Sequence, residues 1–229
     1  MKKEKFILLA GGMGAGKDTM REELIKELGI EKEYHFSFAT PLKDEADKVI
    51  EAIQANLGNG EIGTILNVEA SVIQEVRDIL GKDIIKQYPK VNARSRTPEI
   101  RKFLQYWGTD VRRKSDMNYW VNIAKSVVRG KLDEGYTVII TDARFNNEFE
   151  LSQALGGTTV CLYSSEDVRV SRVENRDGLT PSRDALDHRS ELDWRDYENF
   201  DIVIDSSELT VKETVNLLIQ EIERKELVL

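Results

Sequence analysis

Cysteine is nearly missing from this chain: among 229 residues Cys161 stands alone. A single thiol excludes an internal disulfide and cannot build a cysteine zinc site. Its setting, Thr159-Val160-Cys161-Leu162-Tyr163, is an apolar run, which reads as a place for a core thiol and not for a nucleophile. An excess of basic residues is missing as well. The net charge of −8 argues against duplex DNA or RNA as a main partner, because such binding rests on a basic footprint. Any anionic ligand must therefore be met by local positive clusters. No stretch approaches the roughly 20 apolar residues of a membrane span. The basic start, Met1-Lys2-Lys3-Glu4-Lys5, leads into an apolar run too short for a signal peptide, so a soluble, cytoplasmic protein is expected. Internal repeats, low-complexity tracts and a second domain boundary are also lacking. A chain of this length that is 40% hydrophobic suits one α/β domain, residues 1–229, with a small inserted lobe.

What is present begins at Gly11-Gly12-Met13-Gly14-Ala15-Gly16-Lys17-Asp18-Thr19, directly after the apolar run Phe6 to Ala10. The order reads as strand, glycine loop and helix start. Backbone N–H groups around Gly11, Gly14, Ala15 and Gly16 would converge on the phosphates of ATP, Lys17 would reach the β and γ phosphates, and the helix N-terminus adds a positive dipole end. The spacing fits the Walker A pattern up to its last place. There Asp18 stands for the usual Ser or Thr, and Thr19 supplies the hydroxyl one position later. An ordinary turn before a helix would explain the glycines but not the lysine at the helix start. A carboxylate beside a triphosphate is costly unless magnesium or an acceptor's proton sits with it, so Asp18 points to kinase chemistry more than to a switch GTPase.

Downstream, Met20, Leu24, Ile25 and Leu28 recur at helical spacing and Gly29 offers a stop. His35 to Ala39 reads as a second strand, and Thr40-Pro41 as the cap and first turn of a helix that carries Lys43 near a strand's carboxyl end. Residues 56–96 read as an inserted lobe: Gly58, Gly60 and Gly63 mark a loop, and Val72 to Leu80 suggest one amphipathic helix. Thr97-Pro98-Glu99 starts a further helix, in which Ile100, Phe103, Leu104 and Trp107 form an apolar stripe while Arg101 and Gln105 share another face. From Arg94 to Lys114 basic residues outnumber the acidic ones, Glu99 and Asp110, which predicts a local anion-attracting region. Trp120 belongs to the next helix, as a core residue or as the wall of a nucleotide pocket.

Tyr136 to Asp142 reads as a buried strand ending in an acid, able to hold magnesium or polarise an acceptor, and Arg144 suits bidentate phosphate binding. Arg169, Arg172 and Arg176 precede a Gly/Pro/Ser segment, so that about 169–192 resembles a hinged lid in which an arginine meets the transferring phosphoryl group. His188 is assigned to fixing that loop. Strand and helix alternate five times, which implies a five-stranded parallel sheet with helices on both faces.

Several stretches together resemble the bacteriophage deoxynucleoside monophosphate kinases: Gly16-Lys17-Asp18-Thr19, Ser37 to Lys43, Arg101-Lys102 with Gln105 and Gly108-Thr109, Asn118-Tyr119-Trp120, Thr141 to Glu148, and His188 to Glu191. The resemblance spans nearly the whole chain except the 56–96 insertion. It implies a P-loop nucleotide-kinase fold and transfer of the ATP γ-phosphoryl group to a deoxynucleoside 5′-monophosphate, in the host cytoplasm if the protein is phage-encoded. Lys17 and Thr19 would hold the ATP phosphates and Mg2+, and Asp18 would act at the acceptor phosphate or the metal. Lys43, Arg101, Lys102, Gln105, Gly108, Thr109, Trp120, Asp142, Arg144 and Glu148 would serve the acceptor nucleotide. Lys17, Asp18, Asp142, Arg144, Arg172 and Arg176 would carry the chemistry. The chain departs from the family at Ala143, where Val is usual, and at Asp205-Ser206-Ser207, where an Asn-containing adenine-contacting turn is common. A homodimer is compatible with the family. The rival readings are a ribonucleotide or dephospho-coenzyme A kinase, and a P-loop ATP-binding regulatory protein without an acceptor.

Overall fold

The structure is a computed structural model that describes residues 6–95, 97–178, 180–186 and 193–225. The stretch His188 to Glu191, the end of the expected lid and Arg96 lie outside the described residues. Chain contacts divide the protein into two compact units, one formed by Phe38–Ile123 and the other by the residues on either side of it.

The flanking unit holds the sheet. Its strands β1 (Phe6–Ala10), β2 (Glu33–Phe36), β3 (Thr137–Ile140), β4 (Thr158–Tyr163) and β5 (Ile202–Asp205) run parallel in the order β2-β3-β1-β4-β5. Near-continuous apolar strands are what a sheet covered on both faces requires, and every residue of β1 and β3 is buried. One face, with Ile7, Leu9, Ile139, Val160 and Ile204, packs with Met20 and Leu24 of α1 (Lys17–Glu27) and with Val215, Leu218 and Ile222 of the C-terminal helix (Val211–Arg224). Phe6 and Leu8 have the opposite parity. On that face α7 (Asn146–Ala154) packs against β1 and β4. Helix α8 (Glu166–Asp177) follows β4; α9 (Arg183–Leu186) and a 3-10 turn (Asp193–Asp196) precede β5, and the C-terminal helix is α10.

The second unit is helical among the described residues: α2 (Ala39–Gln54), α3 (Asn59–Leu66), α4 (Ala70–Lys86), α5 (Pro98–Gln105), a π-helical stretch (Tyr106–Arg113) and the start of α6 (Tyr119–Asp133). The expected cap at Thr40 is not observed; α2 begins at Ala39 with Phe38 in the cap position and no side-chain cap. Thr97 does cap α5, its hydroxyl accepting from the Ile100 N–H at 3.3 Å. Gly60 and Gly63 lie inside α3, not in a loop. A Cβ on Gly63 would come 2.6 Å from the Val68 carbonyl, so this glycine serves a close approach of the following turn.

Candidate active site

Strands β1 and β3 are neighbours, so the loops that leave their carboxyl ends lie side by side, as expected of a ligand site in an open parallel sheet. The loop after β1 is the glycine stretch. Gly11 has φ +141° and Gly14 φ +79°; a Cβ at the first would stand 2.3 Å from the Leu162 carbonyl oxygen, and at the second 2.4 Å from that of Arg169. These positions require glycine for both backbone reasons. Gly16, with φ +90°, is the cap residue of α1 and brings no side chain to the helix start. The first N–H groups of an eleven-residue helix therefore open onto the loop, as an anion cradle requires. Lys17 folds over the same loop, its Nζ donating to the carbonyls of Gly11 at 2.7 Å and Gly12 at 3.1 Å.

The residues suit a nucleotide phosphate chain with its metal. Among the described residues no group of three or more His, Cys, Asp or Glu could hold an ion by itself. Magnesium bound with a nucleotide takes one or two protein ligands and completes its shell with phosphate oxygens and water. Thr19 and Asp18, both exposed at the start of α1, are the side chains that would supply them.

Asp18 is tied to the segment after β3, and Arg169 and Arg172 of α8 bond to the glycine loop itself. Asp18 Oδ1 accepts from the Thr141 hydroxyl at 2.6 Å, and Thr141 Oγ1 in turn lies 3.0 Å from His35 Nε2. Asp142, half-buried at the end of β3, accepts on Oδ2 from the Ser37 hydroxyl at 2.6 Å. Glu148 is 2% exposed and turns its carboxylate onto its own loop, accepting from the N–H groups of Arg144 at 2.7 Å and Phe145 at 3.2 Å. It fixes the segment that carries Arg144. Thr141 carries a signal in the sequence that motif spacing misses, a polar residue directly after an apolar strand, whereas His35 and Ser37 lie in and after the mixed strand β2.

The arginines of α8 have separate roles. Arg169, 4% exposed, lies under the loop and donates to the Met13 carbonyl at 3.2 Å and the Ser164 carbonyl at 3.3 Å. Arg172 donates to the Ala15 carbonyl at 3.4 Å, the Ser164 hydroxyl at 3.0 Å and the Ser206 carbonyl at 2.9 Å, tying the loop to the turn after β5. That turn holds itself. Asp205 accepts from the Ser207 N–H and hydroxyl, and these two bonds lower its pKa below the ordinary carboxylate value. Arg176 is exposed and forks onto Asp177 at 2.8 and 2.7 Å, and this pairing raises its pKa, with a smaller contribution from the charge of Asp18. Cys161, at the loop end of β4, is pushed up to about 11 by burial, with Lys17 pulling it down.

The other expected residues belong to the second unit. Arg101 and Gln105 are exposed on α5, four residues apart. Lys102 turns elsewhere and lines a groove with Gln74, Glu75 and Asp78 of α4. Lys43 is half-buried on α2, and Thr109 is exposed on the π-helical stretch. Gly108 is buried there, where a Cβ would meet Leu42 Cδ2 at 3.2 Å. Trp120 is 2% exposed, donates from Nε1 to the Gly108 carbonyl at 3.1 Å and meets Tyr119 edge-on, so it is a core residue that props the stretch bearing Gly108 and Thr109. The expected basic region is partly neutralised: Arg94 pairs with Asp44 and Asp47, and Arg112 with Glu45.

The model of the deoxynucleotide monophosphate kinase family matches residues 64–186, more than half of the chain. Among curated proteins none matches significantly by sequence. Among solved structures, TT1252 from Thermus thermophilus superposes with a TM-score of 0.55 at 14% identity, over 98% of this chain and 98% of that one. A sugar kinase from Janibacter sp. HTCC2649 superposes with a TM-score of 0.51 at 13% identity, over 96% and 94%. At these identities the likeness is one of fold.

Proposed function

We propose, for a chain that belongs to the deoxynucleotide monophosphate kinase family, transfer of the γ-phosphoryl group of ATP to a deoxynucleoside 5′-monophosphate, giving ADP and the deoxynucleoside diphosphate. Membership makes the chain an ATP-dependent phosphotransferase, a nucleotide kinase, with the P-loop kinase fold. The observation that supports the finer reading is the bond from Thr141 to Asp18, which ties the segment after β3 to the helix start behind the glycine loop.

Phosphoryl transfer asks a protein for positioning and charge neutralisation more than for covalent chemistry. The loop N–H groups and Lys17 bind the β and γ phosphates of ATP, and Thr19 with Asp18 would hold the magnesium of the nucleotide. When bound, that metal would supply neutralisation of the developing charge. Asp142, held by Ser37, orients the acceptor, and the Arg144 fork takes its phosphate in the two-pronged geometry that a guanidinium offers. Glu148 acts by holding the Arg144 loop. Arg176 is the arginine assigned to the transferring group, because its present partner is an exposed neighbour, whereas Arg172 is committed to three groups around the loop. Lys43, Arg101, Gln105, Gly108 and Thr109 are assigned to the acceptor nucleotide, with the 56–96 region as an inserted lobe and 169–192 as a lid.

The test is ADP formation from ATP and magnesium with a panel of deoxy- and ribonucleoside monophosphates and dephospho-coenzyme A. Turnover confined to deoxynucleotides supports the reading; turnover with another acceptor class moves the protein to a rival kinase activity. In the same assay Arg144→Ala should abolish acceptor-dependent turnover and leave ATP affinity intact. Unchanged turnover would remove Arg144 from the site.

A further inference from the structure

Asp18 stands at the exposed start of α1, and the hydrogen bond to its carboxylate comes from outside its own helix. Its grip comes from the residue that follows β3. Thr141 is 4% exposed, so its hydroxyl is shielded from bulk water, and its proton goes to Asp18 Oδ1 at 2.6 Å. A carboxylate oxygen can only accept, which leaves the lone pairs of Thr141 Oγ1 for His35 Nε2 at 3.0 Å. The imidazole must then donate through Nε2–H. The three groups form one directed chain, from the His35 ring through the Thr141 hydroxyl to the Asp18 carboxylate. His35 is set by strand pairing, opposite Ile139 on β3, so the chain is anchored in β2 and at the residue directly after β3.

We propose that Thr141, with its hydroxyl aimed by His35, is a positioning residue that holds the Asp18 carboxylate in the orientation needed for phosphoryl transfer. The inference rests on the phosphoryl-transfer reading of Asp18. A threonine hydroxyl has one proton and a free rotor. With His35 donating from behind, the rotor is fixed and the proton points at Asp18. Without that donor the hydroxyl is free to turn away, and the acid loses its fixed direction.

Thr141→Val keeps the shape and removes the hydroxyl, whereas Thr141→Ser keeps the hydroxyl and removes the methyl. A hydrogen bond to a charged group sets the scale: Thr141→Val should lower kcat by roughly 10- to 100-fold with the KM for ATP little changed, and Thr141→Ser should recover most of that loss. His35→Phe should cost about 2- to 10-fold. In an Asp18→Asn background Thr141→Val should add nothing, because its effect runs through the missing carboxylate. Apart from activity, the 15N spectrum of the His35 ring, one of two histidines in the chain, should show the Nε2–H tautomer. An Nδ1–H ring, a Thr141→Val enzyme with wild-type kcat, or a Thr141→Ser enzyme no better than Thr141→Val would each overturn the proposal. Asp18→Asn separates the two levels. Wild-type kcat in that variant sinks the role of Asp18 itself, whereas a large loss there beside an unaffected Thr141→Val sinks the positioning alone.

Discussion

Replacing Glu45 with Gln tests what keeps the π-helical stretch in place. The Glu45 carboxylate accepts from Trp107 Nε1 at 3.0 Å, from Tyr119 OH at 2.8 Å and from the Arg112 guanidinium, and Arg112 also donates to the Leu66 carbonyl at 2.9 Å. Arg112 is 7% exposed and lies between the rings of Trp107 and Tyr119, with its guanidinium carbon 5.0 and 4.9 Å from their centroids. A glutamine keeps the shape and one acceptor oxygen but removes the countercharge. Breaking a buried ion pair by losing one partner costs about 3–5 kcal/mol. The two rings and the Leu66 carbonyl remain and place the expected loss near the lower end, about 3 kcal/mol. Arg112→Met should cost less, because a stranded carboxylate can take up a proton while a guanidinium stays charged.

The assay is urea unfolding followed by tryptophan fluorescence, with the midpoint shift read at constant slope. Glu45→Gln within about 1 kcal/mol of wild type would refute the reasoning, since that is the range of an exposed pair. So would an Arg112→Met variant as damaged as Glu45→Gln. Tyr119 adds a second arm. Burial, then the bond to Glu45, raises its pKa to about 12, with Arg112 opposing. The stability this contributes is fully present below the ordinary tyrosine value near 10 and is lost as pH rises towards about 12. The alkaline loss should be smaller in Tyr119→Phe.

Gly14→Ala should weaken ATP binding by about tenfold or more, because φ +79° and a Cβ 2.4 Å from the Arg169 carbonyl force the loop to move. Calorimetry with ATP reads this directly, and an unchanged affinity would show that the loop does not bind phosphates in this shape. Gly29→Ala, at φ +58° with open space around it, serves as the control that alters stability without altering affinity. Cys161, 5% exposed and raised to about 11, stays a protonated thiol at pH 8; iodoacetamide should leave the folded protein unlabelled and react once urea exposes the thiol. Rapid labelling of the folded protein would contradict its burial.

The sheet and the glycine loop were legible because their signals are local: an apolar run, a glycine spacing and a lysine within a few residues of each other. The acid after β3 and the Thr97 cap were legible for the same reason. What failed depends on partners far along the chain. Gly63 looks like a loop marker until Val68 is seen against it, and the π-helical stretch from Tyr106 to Arg113 has no periodic signature apart from a helix. The excess of cations from Arg94 to Lys114 shrinks once Asp44, Glu45 and Asp47 of α2 are set against it. The chain from His35 to Asp18 joins residues from three separate segments, and linear spacing carries no trace of it.

The arginines of α8 show where the limit lies. Spacing says which residues share a helical face, and Arg169, Arg172 and Arg176 do share one. It does not say how far along the axis the burial extends. Seven residues of helix cover about 10 Å, enough to pass from beneath the loop to its edge. Arg169 is therefore sealed under Gly12, Arg172 is bound to backbone on both sides of it, and Arg176 is exposed and paired with Asp177. An exposed ion pair is worth about 0–1 kcal/mol, so a phosphate can replace Asp177 as the partner of Arg176 at little cost. Freeing Arg172 would break bonds to Ala15, Ser164 and Ser206 and loosen the glycine loop. The same helix thus fixes the cradle with its buried arginines and leaves its last one exposed, and depth along the axis divides the two.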